Sequence, residues 1–250
     1  MKQTIKNLTD LPFGFCKFAE FEDKLLPCRA AARLPEKAKT IIMFLFPYKV
    51  KDEAPQNISR YAAVPDYHEV VLSRLSSIAA ALSERFPDNK FEPFCDNSPI
   101  PEVNAAVSAG LGVLGVNRLL INEHFGSFVF LGEIVTDLEI ECERQSGECI
   151  GCLLCLNNCP VGLDRERCLS ALSQKKGDLT DEEKSALLEN SIVWGCDICQ
   201  NCCPMNRSRE KTEIKEFIEG YRDCYTVGED ITGRAYAWRG EKVIKRNALL

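Results

Sequence analysis

No apolar run in this sequence is long enough to cross a bilayer; the longest, "IIMFLF", covers residues 41–46. The opening residues, "MKQTIKNLTDLPFG", lack the apolar core of a secretory signal. The expectation is a cytoplasmic protein, monomeric and without a membrane partner. Basic charge is also scarce. With 31 Lys and Arg against 37 Asp and Glu, the net charge of −6 argues against a generally basic nucleic-acid binder. The exception is local: the last stretch, "TGRAYAWRGEKVIKRNALL", holds five Lys and Arg against one Glu. No internal repeat of useful length, low-complexity tract or heptad pattern occurs, which excludes repeat arrays and long coiled coils. Histidine occurs only at His68 and His124. An isolated histidine is more often a packing or hydrogen-bonding residue than a ligand, and His124 is read that way.

Cysteine, by contrast, is abundant. The chain has fourteen, nine of them between Cys149 and Cys203. In a reducing cytoplasm such a cluster points to metal or redox chemistry rather than disulfides. Cys149, Cys152, Cys155 and Cys159, followed by Pro160, spell C-x2-C-x2-C-x3-C-P, the run of bacterial two-cluster ferredoxins. Three closely spaced thiolates curl round one 4Fe–4S cluster while the fourth serves the other cluster. A second group is therefore required, and "CDICQNCCP" supplies Cys196, Cys199, Cys202 and Cys203, with Cys168 between the groups. The exchange of ligands gives a first cluster on Cys149, Cys152, Cys155 and Cys203. The second takes Cys159, Cys168, Cys196 and Cys199, and Cys202 competes with Cys203 for its place. Structural zinc also uses paired C-x2-C motifs, but it does not require this order. Cys16, Cys28, Cys95, Cys142 and Cys224 lack ligand spacing and read as small buried hydrophobes.

The rest of the chain alternates between periods. "KTIIMFLFP" predicts a buried strand ended by Pro47. From Asp66, placed as a cap, Val71, Leu75, Ile78 and Leu82 recur at helical spacing. "PFCDNSPIPEVNAAVSAGLG" reads as a strand end, a proline-containing loop and a helix stopped at Gly110 and Gly112. "GSFVFLGEIVTDLEI" predicts a strand and "DLTDEEKSALLEN" a helix; beyond Asn206 the chain reads as charged and weakly structured. Asp96, between Cys95 and the loop, suits a proton donor in an apolar pocket. Alternatively Asp96 or Asn97 caps the helix that follows.

Several stretches, in the same order over nearly the whole chain, resemble the epoxyqueuosine reductase family. "RYAAVPDYH" is similar to its R-Y-A-x-x-x-D-Y-H, and "DNSPIPE" to its D-S-x-P-V-x-E. "AGLGVLGVNRLLINEHFGSFVFLGEI", "GCDICQNCCPMN" and "RAYAWRGEKVIKRNALL" resemble later family segments. The resemblance implies an α+β chain. An N-terminal mixed α/β cobalamin-binding domain over 1–145 precedes a two-cluster bacterial ferredoxin-like domain over 146–208 and a charged C-terminal tail over 209–250. It also implies that a low-potential donor of ferredoxin or flavodoxin type feeds electrons through the clusters to cobalamin. The epoxide of epoxyqueuosine in tRNA is then deoxygenated to queuosine. Asp96 corresponds to the family's catalytic acid. Tyr67 and His68 would lie near the corrin or substrate, and Gly110, Gly112 and Gly115 would let backbone approach the flat cofactor. The chain departs from the pattern at Val113, Val116 and Arg118, where the family has Trp, Lys and Thr. The helical-repeat domain that follows in many relatives is absent from the resemblance. Two other readings are a reductive dehalogenase-like reductase of a small molecule and a non-catalytic electron-transfer or corrinoid-binding protein.

Overall fold

The structure is a computed structural model that describes residues 1–142 and 147–250. In chain order its strands are β1 (Phe13–Lys17), β2 (Thr40–Pro47), β3 (Phe91–Phe94), β4 (Val113–Leu114), β5 (Leu120–Ile121) and β6 (Val129–Thr136). Its α-helices are α1 (Lys2–Lys6), α2 (Arg60–Ala63), α3 (Tyr67–Arg85), α4 (Glu102–Ser108), α5 (Leu154–Asn157) and α6 (Leu169–Ser173). They continue with α7 (Asp181–Glu189), α8 (Ile198–Asn201), α9 (Lys215–Glu219) and α10 (Glu241–Ala248). Among the described residues, no helix is long and apolar enough to cross a membrane. The chain divides into two compact units: residues 1–46, 68–123 and 129–150, and residues 47–67, 124–128 and 151–250. The domain boundary expected between 145 and 146 lies outside the described residues.

The first unit is built on a four-stranded sheet in the order β1-β2-β6-β3. β1 runs antiparallel to β2, and β3 antiparallel to β6. Every residue of β2 is buried, because "TIIMFLFP" is apolar on both faces of the pleat and helices cover both. Ile41, Met43 and Leu45 face a core completed by Ala105, Ala106 and Ala109 at α4, together with Cys16, Phe94 and Val135. Each large side chain buried this way contributes roughly 1.5–3 kcal/mol. On the other face α3 brings Val71 and Leu75 onto β6 at Gly132, where a Cβ would come within 2.8 Å of both side chains. Glycine therefore sets how closely helix and strand approach.

The second unit has little sheet. One core gathers Ile58, Ala62, Ala63, Trp194, Tyr225 and Tyr236 with Val243 and Ile244 of α10. A smaller one joins Leu169, Leu179, Leu187 and Ile192. α7 appears where its sequence predicts. Thr180 accepts from the Glu183 main chain while the Glu183 carboxylate accepts from the Thr180 main chain, a full capping box. The expectation of a charged tail over 209–250 is corrected. Ile214, Phe217, Tyr225, Tyr236, Val243 and Ile244 are buried. These apolar residues are spread thinly among charges, so no single window shows their periodicity. In α10 the i, i+1, i+4 set Val243, Ile244 and Asn247 is enough to seat a helix whose other faces are basic.

Candidate active site

Asp96 follows β3 and lies in the left-handed region with φ 58, a conformation that aspartate tolerates better than most residues. The chain there is folded tightly, since Asn97 N–H donates to Cys95 O at 2.7 Å and Ser98 N–H to Asp96 O at 2.8 Å. His68 Nε2 lies 3.2 Å from Asp96 Oδ2, and the Asp96 side chain is 64% exposed. The placement of His68 follows from the helix. Residues 68, 71 and 75 share one face, so the close packing of Val71 and Leu75 on Gly132 carries His68 to the end of the sheet where Asp96 sits. Neither Asp96 nor Asn97 caps the next helix, because α4 begins at Glu102 after Pro101. The capping alternative is thereby set aside.

Two carboxyls complete the region, and neither stood out as a site residue in the sequence. Glu102, at the first turn of α4, accepts the Asp96 main-chain N–H through Oε1 at 3.1 Å. Burial pushes its carboxyl up to about 7, although the Asp96 N–H pulls the other way. Glu133 pairs with Phe94 across β3 and β6 and is fully buried. Burial, then the negative charge of Glu102, holds it well above the ordinary carboxylate range. Of the two carboxyls it is the more deeply buried, and it faces Glu102. Its Oε1 accepts a short hydrogen bond from Ser98 Oγ, which in turn accepts from Ile100 N–H at 3.0 Å. A charged residue type inside the apolar strand "FVFLGEIVT" was the available signal, since such a group needs a partner when buried.

Tyr67 and His68 open α3, with Tyr67 falling to the second unit. Gly110 ends α4 with φ 75, as a residue after a helix commonly does. Gly112 and Gly115 lie in the β4–β5 hairpin. A Cβ on Gly112 would come within 2.5 Å of Ile121 O, and one on Gly115 would meet Asn117 and Ile121. The hairpin's own close approaches account for Gly112 and Gly115, whereas Gly110 lines a cavity of about 470 Å³ with Phe13, Gly14 and Leu138. At the hairpin, Leu114 and Val116 are 46% and 39% exposed, and Arg118 takes φ 64 in the turn.

In the second unit the thiols gather in two groups. Burial first, and later the neighbouring Cys168 and Cys159, raise Cys196 to about 11. Cys202 is raised by burial and then by Cys155, Cys203 and Cys152. Cys199 stands in α8, and Cys149 falls at the end of the first unit. Among the described residues no three metal-binding side chains converge tightly enough to hold a single ion; an iron–sulfur cube is a larger object. Leu153, inside the first motif, is left-handed with φ 59. A turn of this kind aims main-chain N–H groups to one side, where thiolate sulfur needs donors. The second motif is pinned by polar bonds. Asp197 is buried and accepts Arg60 N–H at 2.6 Å and Gln200 Nε2–H at 2.7 Å. Asn206 Nδ2–H donates to Ser127 Oγ at 2.8 Å, and Ser127 Oγ–H to Gln200 Oε1 at 2.8 Å. Desolvation raises Asp197, and Arg60 opposes the rise.

Comparison with known proteins points to one set of relatives. The family model described as epoxyqueuosine reductase QueG, DUF1730, matches residues 29–97, the stretch that holds Tyr67, His68 and Asp96. The epoxyqueuosine reductase of Aliivibrio fischeri is 34% identical over 155 residues, 59% of this chain and 42% of that protein. That of Lactococcus garvieae is 34% identical over 185 residues, 67% of this chain and 52% of that protein. The chain thus spans about half the length of the curated relatives it matches. The solved epoxyqueuosine reductase of Streptococcus thermophilus has a TM-score of 0.81 at 25% identity, covering 99% of this chain and 78% of that one. An epoxyqueuosine reductase solved with an epoxyqueuosine-modified tRNA-Tyr stem loop has a TM-score of 0.82 at 24% identity, covering 99% and 79%. By sequence over more than half its length, and by a mixed α/β fold over nearly all of it, the chain is similar to the epoxyqueuosine reductases.

Proposed function

We propose that the protein is an iron–sulfur and cobalamin-dependent oxidoreductase that removes the epoxide oxygen of epoxyqueuosine in tRNA. The observation that carries this reading is the coexistence in one chain of an accessible Asp96–His68 pair and two groups of thiols. Converting the epoxide to the alkene consumes two electrons and two protons and releases water. Two 4Fe–4S clusters and a corrinoid supply the electrons when bound. In this reading Cys149, Cys152, Cys155 and Cys203 hold one cluster, and Cys159, Cys168, Cys196 and Cys199 the other, within a ferredoxin-like domain. The grouping of Cys159 and Cys168 about Cys196, and of Cys152, Cys155 and Cys203 about Cys202, supports that assignment. Asp96 gives its proton to the departing oxygen, and His68, at 3.2 Å, orients the carboxyl and restores its proton. Tyr67 and His68 would lie near the cobalamin when it is bound. A low-potential donor of ferredoxin or flavodoxin type is the electron source, and tRNA is the macromolecular partner of a cytoplasmic monomer.

Val113, Val116 and Arg118 favour one second reading, a non-catalytic iron–sulfur electron carrier, because the exposed hairpin presents Val116 where the family has lysine. Anaerobic reconstitution tests both. The reductase reading expects about eight iron per chain, stoichiometric cobalamin, turnover of epoxyqueuosine-tRNA, and loss of turnover in Asp96→Ala with cluster reduction intact. Iron without cobalamin uptake selects the carrier, and turnover by Asp96→Ala overturns the proposed mechanism.

A further inference from the structure

The acid turn is held by the half-buried Glu102 and by the buried Ser98 and Glu133. Asp96 occupies a left-handed conformation with two successive tight turns after it, and such geometry persists only where the surroundings fix it. Its main-chain N–H has one defined acceptor, Glu102 Oε1. Glu102 faces Glu133, whose Oε2 is buried with no other hydrogen-bond partner. An oxygen in that situation carries the proton itself, and Glu102 is where the proton points. Ser98, two residues past Asp96, bonds the other oxygen of Glu133. Both ends of the turn are therefore tied to one carboxyl pair.

We propose that Glu102, clamped by the carboxylic acid of Glu133, is the positioning residue of Asp96: it holds the Asp96 main-chain N–H, fixes the left-handed turn and so sets the carboxyl against His68. The kinetic consequence rests on the reductase reading; the geometric claim does not. The titratable groups facing the pair are Asp96 on the loop, His68 on α3 and, beyond Glu133, Cys16 on β1. Each carboxyl has a separate task. Glu102 ionises and accepts, while Glu133 stays neutral and donates. A glutamine at 133 preserves the donor to Glu102 and the acceptor for Ser98, whereas leucine removes both.

The experiment uses the full chain, labelled with 15N, and follows the Asp96 amide resonance against pH. In the His68→Gln background, which removes the neighbouring imidazole, the protein shows one step in the neutral range, reporting ionisation of Glu102. The step disappears in Glu102→Gln, persists in Glu133→Gln and moves to higher pH in Glu133→Leu. With reconstituted protein and epoxyqueuosine-tRNA, Glu102→Ala lowers kcat on the order of 10- to 100-fold and leaves KM nearly unchanged. Glu102→Gln, which keeps an acceptor, recovers most of that loss. An Asp96 amide without a step, a step that survives Glu102→Gln, or an undiminished kcat in Glu102→Ala overturns the proposal. An unmoved step in Glu133→Leu overturns the clamp. Absence of turnover in the wild type refutes the reductase reading alone, because the amide titration needs no substrate.

Discussion

The acid turn and the cysteine region are held in place by different physics. Around Asp96 the fold is complete without a ligand. β2 and β6 are buried by helices on both faces, and Gly132 sets the approach of α3 that brings His68 to the aspartate. The cysteine region has no such frame. α5 and α8, which carry Cys155 and Cys199, are four residues long, far below the length at which a helix holds itself. What fixes α8 is a polar network through Asp197, Gln200, Ser127 and Asn206, and the proposed clusters would add their bonds to both helices. One site is preformed by apolar packing, and in the proposed reading the other depends on the clusters it would bind.

Removing the clusters is the largest way to break this comparison. After anaerobic iron chelation, amides of residues 151–206 should lose hydrogen-exchange protection by orders of magnitude, while those of β2 and β6 keep theirs. Parallel loss in the strands would show that the sheet, too, depends on the metal.

Acidity affects the other region. Glu102 is raised in the folded protein to about 7 from an ordinary 4.5. The folded state therefore keeps a proton that the unfolded chain releases between those values, and stability falls as pH rises through that window. The full shift corresponds to an upper bound on the order of 3 kcal/mol. Urea unfolding of the first unit's strands at pH 5 and pH 8, followed by exchange, measures the decline, and Glu102→Gln should flatten it. A decline of equal size in Glu102→Gln would place its origin elsewhere.

The two regions were also unequally legible in sequence. Cysteine spacing announces itself because ligand geometry constrains short stretches of chain, so "CIGCLLCLNNCP" and "CDICQNCCP" could be read by eye. β2, α3 and α7 were readable for a similar reason, since each carries its period within one window. Glu102 and Glu133 were not, because their meaning lies in a contact between residues 31 apart, created by the β3–β6 register and the start of α4. Asp197 and Arg60 meet across 137 positions. The burial of residues 209–250 was hidden likewise. Phe217, Tyr225, Tyr236 and Ile244 belong to cores built mostly from residues elsewhere, and charge dominates each local stretch. Asp96 was visible as a candidate, yet its left-handed turn was not, because "FCDNSP" is equally compatible with an ordinary cap.

The smallest test sharpens the comparison inside the second unit. α7 lies between the two cysteine groups in sequence, and its Leu187 packs with Leu169, Leu179 and Ile192 in a small core that Cys196 touches from one side. Its start depends on the reciprocal bonds of Thr180 and Glu183. Thr180→Ala removes the side-chain half of that box and should cost about 1 kcal/mol, read as a lower urea midpoint for exchange in residues 179–192. If the cysteine region is held chiefly by its clusters and the Asp197 network, iron content and cluster spectra should be unchanged by this loss. A fall in iron content would make α7 part of the cluster scaffold, with Leu169 carrying the disturbance directly to its neighbour Cys168.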